Sequence, residues 1–150
     1  KKVCTLSTKL NKKLIIKLHP HIPELDEAKI SKSINADIQI IKQGYISSLI
    51  PSCSLFITSG ITSAMIDAAY LKKPIIRIKT REWWGDIDTL RSNSSIPISI
   101  NDLDITINQI FSDPIFYENI IKNGTNFVND CLSNQGIASK NISNLLMDNS

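Results

Sequence analysis

The chain has 150 residues, 42% hydrophobic and 21% charged, with a formal charge of +3. That length suits one domain with a sizeable core. The weak net charge argues against a nucleic-acid binder, which concentrates Lys and Arg on one face, and is compatible with a small anionic ligand. No apolar run approaches the roughly 20 residues of a membrane span, and no secretory signal pattern opens the sequence.

In chain order, residues 3–10 read as a short helix with a polar exit at 11–13. Leu14-Ile15-Ile16-Lys17-Leu18 is a β-prone run stopped by His19-Pro20. Residues 23–34 read as a helix opened by Pro23 and acidic residues, which suit a helix N-terminus. Asp37-Ile38-Gln39-Ile40-Ile41 reads as a second strand, and 45–50 as a short helix halted near Pro51.

Leu55-Phe56-Ile57-Thr58 reads as a buried third strand, central in its sheet, and 62–71 as an alanine-rich helix. Pro74-Ile75-Ile76-Arg77-Ile78 is the fourth strand, and residues 80–95 form a polar loop carrying Trp83-Trp84-Gly85. Residues 96–100 make a fifth strand, which Pro97 assigns to an edge. Helices are expected over 102–111, 114–123 and 137–147.

Strands alternating with helices predict an α/β, Rossmann-like fold, with a mainly parallel sheet covered on both faces. Strands that are apolar nearly end to end fit that double covering. Ligands of such sheets collect at the carboxyl ends of the strands, so the residues just after each strand carry the functional interest.

Three strand exits stand out. In Ile57-Thr58-Ser59-Gly60-Ile61-Thr62-Ser63, a strand ends, glycine turns the chain and hydroxyl residues open a helix. Unpaired N–H groups at a helix start attract phosphate. Gly60 removes a side chain that would block close approach, and Ser59, Thr62 and Ser63 add donors. Asp67, four residues after Ser63 on the same helix face, can accept hydrogen bonds from ribose hydroxyls. The plainer reading is an ordinary cap with a solvated Asp67.

At the first exit, Lys17 and His19 can contact phosphate, and His19 can also act as acid or base. A polar strand exit with one capping His is the structural alternative. At the fourth exit, Arg77, Lys79 and Arg81 suit a diphosphate. Trp83 or Trp84 either stacks on a base or sugar or covers a core edge. Asp86-Ile87-Asp88 has the spacing of a metal-binding carboxylate pair, but Asp102-Leu103-Asp104 repeats it, so it carries little information.

His19 and His21 are the only histidines, and Cys4, Cys53 and Cys131 lack CxxC spacing. No metal site or cofactor is expected, and the cysteines read as buried free thiols in a reducing cytoplasm. No P-loop, GxGxxG, GxSxG or HExxH pattern occurs.

The order of these pieces resembles the carboxyl-terminal nucleotide-binding domain of two-Rossmann-domain (GT-B type) glycosyltransferases. The likeness spans residues 14–81. It runs through Lys17-Leu18-His19-Pro20, the segment 47–54, Leu55-Phe56-Ile57-Thr58, the hydroxyl turn with Asp67-Ala68-Ala69, and Leu71-Lys72-Lys73-Pro74-Ile75-Ile76. It looks most like CDP-glycerol glycerophosphotransferases and capsule polysaccharide proteins, and is similar to the non-hydrolysing sugar-nucleotide 2-epimerases. Three departures are Ile66-Asp67 in place of two acids, Ser59-Gly60-Ile61 before the hydroxyl pair, and the reversed order of Arg81-Glu82.

The resemblance implies that Ser59, Gly60, Thr62 and Ser63 hold the diphosphate of a nucleoside-diphosphate sugar or CDP-glycerol, with Asp67 on the ribose. Lys17, Arg77 and Arg81 would join them, and His19, near the phosphates, is the candidate catalytic residue. It further implies a cytoplasmic enzyme of surface polysaccharide synthesis, at the inner face of the membrane. The missing half would be an amino-terminal domain of the same chain, without which residues 1–150 bind but do not turn over. A chain opening on Lys1-Lys2 fits a fragment. A 2-epimerase and a non-catalytic α/β binding module are the alternatives.

Overall fold

A computed structural model of the chain describes residues 2–19, 38–79, 94–132 and 134–147. The expected helix at 23–34, most of the 80–95 loop, and Arg81, Trp83, Trp84 and the Asp86–Asp88 pair lie outside the described residues. The elements are α1 (Lys2–Lys9), β1 (Leu14–Lys17), β2 (Ile38–Ile41), β3 (Phe56–Ser59), α2 (Ala64–Tyr70), β4 (Ile75–Ile78), β5 (Ile96–Ile98), α3 (Leu103–Ser112), α4 (Pro114–Cys131) and α5 (Ala138–Met147).

All strand pairing is parallel. β1 pairs with β2, and β3, β4 and β5 form a three-stranded sheet in that order. The α/β, Rossmann-like expectation holds. Its strand placement needs correction: β4, not β3, is central, and no ladder joins β1 to β3 among the described residues. The reason is visible in the burial. Phe56 to Thr58 are only half-buried, and among the described residues one β3 edge has no strand partner, whereas Ile75 and Ile76 are wholly enclosed. β5 is the other edge, where Pro97 opposes Arg77 without interrupting a ladder on its far side.

Alternation along β4 sends its side chains into two apolar layers. Ile75 packs with Met65, Ala68 and Ala69 of α2 and with Phe127 and Val128 of α4. Ile76 packs on the opposite face with Leu6 of α1, Leu103, Ile107 and Ile110 of α3, and Ile120 of α4. Leu103, Thr106, Ile107 and Ile110 recur at helical spacing and are the buried positions of α3. α4 serves both layers, Ile120 in one and Phe127 in the other.

Local chemistry sets the helix starts. Pro114 occupies the first turn of α4, and the Asp113 side chain accepts a hydrogen bond from Phe116 N–H at 3.0 Å. α4 runs on to Cys131, well beyond the stop expected at 123. Gly124 does not break it and faces α2, where an added Cβ would sit 3.6 Å from that of Ala69, an ordinary contact distance. The short helix expected at 45–50 is instead two 3₁₀ turns, Ile46–Ser48 and Ile50–Ser52, the second with Pro51 in its first turn.

α1 is tied to the start of α3 by Lys2. Its ammonium reaches the carbonyls of Ile100 and Asn101 at 3.0 and 2.9 Å and the Asp104 carboxylate at 3.2 Å.

Candidate functional site

The parallel strands place five chain exits at carboxyl ends: Leu18-His19, Lys42, Ser59-Gly60, Lys79 and Ser99. Backbone pairing persists into several of them. Leu18 N–H donates to Ile41 O at 2.9 Å, Gly60 N–H to Ile78 O at 3.3 Å, and Lys79 N–H to Ile98 O at 2.8 Å. The residues that follow the strands are therefore held by the sheet itself.

The Ser59–Ser63 turn has the local geometry its sequence demands. Gly60 adopts φ +85°, which L side chains rarely take, and a Cβ there would meet no atom within 4 Å. The glycine is thus required by backbone conformation, with open space over the turn. Thr62 Oγ1 accepts a hydrogen bond from Ala64 N–H at 3.4 Å, while Ser63, at the N-cap, makes no side-chain cap. Ser59, Ser63 and Asp67 are exposed, and Ser63 and Asp67 share the outer face of α2, opposite Ala64, Met65, Ala68 and Ala69. α2 has only seven residues, so its dipole adds little; free N–H groups and hydroxyls are what the turn presents.

Lys17 and His19 occupy the β1 exit. Lys17 Nζ donates to the carbonyls of Leu18 at 2.9 Å and Lys42 at 2.7 Å. His19 is exposed one residue beyond buried Leu18. Among the described residues no ladder joins β1 to β3, so strand pairing alone does not bring His19 and Ser63 together.

Arg77 is inside β4 rather than after it and is 4% exposed. It shares a face with its cross-strand partner Thr58, the face covered by α2. The exposed cation at the central exit is Lys79. Alternation puts Arg77 and Lys79 on the same side of the strand, so what separates them is that Lys79 is the first residue past the β4 ladder.

Among the described residues, no three His, Cys, Asp or Glu side chains are grouped to hold a metal ion. No described helix is long and apolar enough to cross a membrane. The cysteines are free, but the expectation that all are buried fails: Cys4 is buried, Cys53 half-buried and Cys131 exposed. Cys131 continues the Phe127–Val128 stripe after α4 has run past the end of α2. Burial pushes the Cys53 thiol up, and the Lys73 ammonium only partly opposes it. Cys53 therefore stays a protonated thiol at neutral pH rather than a nucleophile.

A groove of about 340 Å³ lies between α2 and α4, lined by Tyr70, Lys72, Thr125, Asn129 and Gln135 among others. It sits where α2 hands the chain to the amino end of β4, the opposite end of the sheet from the strand exits.

No family model matches the chain, and no curated protein matches it. Solved structures do. A UDP-GlcNAc 2-epimerase from Neisseria meningitidis bound to UDP-GlcNAc superposes with a TM-score of 0.67 at 16% identity, covering 98% of this chain and 39% of that one. The fold is Rossmann-like and of the GT-B kind. Another UDP-N-acetylglucosamine 2-epimerase gives 0.61 at 12% identity over 91% of this chain and 40% of its own. The glycotransferase of kitacinnamycin gives 0.59 at 10% identity over 86% and 34%. The chain thus spans about two-fifths or less of the length of these proteins.

Proposed function

We propose that the chain is the nucleotide-binding unit of an enzyme acting on a nucleoside-diphosphate sugar, a glycosyltransferase or glycerophosphotransferase by class. The observation that carries this reading is the Ser59–Ser63 turn. It is an open, glycine-dependent strand exit at the carboxyl edge of a parallel sheet, in a fold shared with GT-B enzymes. Ser59, Gly60, Thr62 and Ser63 would hold the diphosphate and Asp67 the ribose. His19 would approach the phosphates, and Lys79, with Arg81, would supply the positive charge first assigned to Arg77. Charge on the departing diphosphate would be stabilised by these groups without a metal.

A second domain of the same polypeptide would complete the cleft and bring the acceptor. The part of the neighbours' length left uncovered supports that division. The enzyme would then serve surface polysaccharide synthesis at the cytoplasmic face of the membrane, with CDP-glycerol as one donor to test. The 2-epimerase reading keeps a place because a neighbour of that class covers 98% of the chain and was solved with UDP-GlcNAc.

Calorimetric titration with UDP, UDP-GlcNAc, CDP-glycerol and uridine tests the proposal. Diphosphates should bind at least about tenfold tighter than the nucleoside, one charge-assisted hydrogen bond's worth. Equal affinities, or no binding by any of the four, would refute it.

A further inference from the structure

Parallel strands end in rows of carbonyl oxygens, a poor surface for an anion. At the β1–β2 edge, one side chain alters that. The Lys17 ammonium donates to Leu18 O at 2.9 Å and, 25 residues further along the chain, to Lys42 O at 2.7 Å. Both carbonyls lie directly after their strands, and the Leu18 N–H is itself bonded to Ile41 O at 2.9 Å. Leu18 is buried and Lys17 half-buried, so the two charge-assisted bonds are partly sheltered from water, where such bonds are strongest.

We propose that Lys17 is a positioning residue: its ammonium clamps the exits of β1 and β2, cancels two of the carbonyl dipoles there, and fixes the backbone from which His19 projects. Two of its three protons are committed to that clamp. Lys17 then acts on a diphosphate through the His19 backbone that it holds rather than as a ligand itself. The ligand part of this inference rests on the nucleotide-binding reading above; the clamp itself does not.

The test compares Lys17→Met and Lys17→Arg in the full chain. Amide hydrogen exchange at Leu18 and His19 is read without ligand, and calorimetric affinity is read for UDP against uridine. Lys17→Met should speed exchange at both amides by about tenfold or more and weaken UDP by a similar factor, leaving uridine unchanged. Lys17→Arg, which keeps charge and donors, should restore protection and most of the affinity.

Unchanged exchange in Lys17→Met would overturn the clamp. Lost UDP affinity with unchanged exchange would make Lys17 a direct ligand instead. Should Lys17→Met fail to fold, Lys17→Arg decides: native protection supports the clamp and lost protection overturns it. If wild type binds no UDP, the nucleotide reading and the diphosphate role of His19 fail, while the exchange comparison still decides whether the clamp exists.

Discussion

Ile76→Ala should lower the unfolding free energy by about 2–5 kcal/mol, toward the upper end of that range for buried large-to-Ala changes. Ile76 is wholly buried on the central strand and packs with Leu6, Ile98, Leu103, Ile107, Ile110 and Ile120. Those neighbours come from α1, β5, α3 and α4, so no single element can collapse into the space left behind. Urea unfolding followed by circular dichroism reads the effect. With a slope of about 1–3 kcal/mol/M, the midpoint should fall by roughly 1 M or more. Ile105→Ala is the control: Ile105 is 72% exposed on the outer face of α3, and its loss should cost within about 0.5 kcal/mol. A loss at Ile76 no larger than at Ile105 would contradict the two-layer core.

The second large effect concerns the division of labour on the outer face of α2. Asp67→Asn should weaken ribonucleoside diphosphates by about ten- to hundredfold, the cost of a hydrogen bond to a charged group of about 1.5–3 kcal/mol. Inorganic pyrophosphate should bind unchanged, because it has no ribose. The phosphate half of the site is better probed at Ser63 than at Thr62. Thr62 Oγ1 holds the Ala64 N–H, so its removal mixes a lost cap of about 0.5–2 kcal/mol with any lost ligand contact. Ser63 makes no side-chain cap, and Ser63→Ala should weaken UDP and pyrophosphate alike while leaving uridine alone. If Asp67 is a solvated surface acid, Asp67→Asn changes no affinity, and isothermal titration separates the two outcomes.

The alternation of elements was legible because each strand run is short, β-prone and bounded by Pro, Gly or polar residues. The edge position of β5 followed from Pro97 alone. What the sequence hid was the third dimension. Leu55-Phe56-Ile57 and Ile75-Ile76 look equally apolar, yet among the described residues only β4 has a strand on each side, and no local pattern records how many neighbours a strand has. Asn123-Gly124 reads as a helix stop, but the glycine is a contact point between α4 and α2.

Charged residues were the least legible. Arg77 and Lys79 differ by two positions, and pairing with Thr58 and Pro97 buries one while the other stands at the ladder's end. Lys17 reads as a phosphate ligand, and no local pattern tells that its ammonium also reaches the carbonyl of Lys42. The hydroxyl turn was legible in its geometry, since positive φ at Gly60 follows from a strand turning sharply into a helix. Its ligand was not, because an exposed Ser or Asp looks the same with or without a ribose beside it.

The central claim is that a nucleoside diphosphate binds at the carboxyl ends of the strands, and mapping backbone amide shifts during titration with UDP tests it most directly. The expected result is saturable perturbation at Leu18, His19, Ser59, Gly60, Ser63 and Lys79, with the α2–α4 groove at Tyr70, Lys72, Thr125 and Asn129 left unmoved. Saturable shifts confined to that groove, or none anywhere at millimolar UDP, would contradict it.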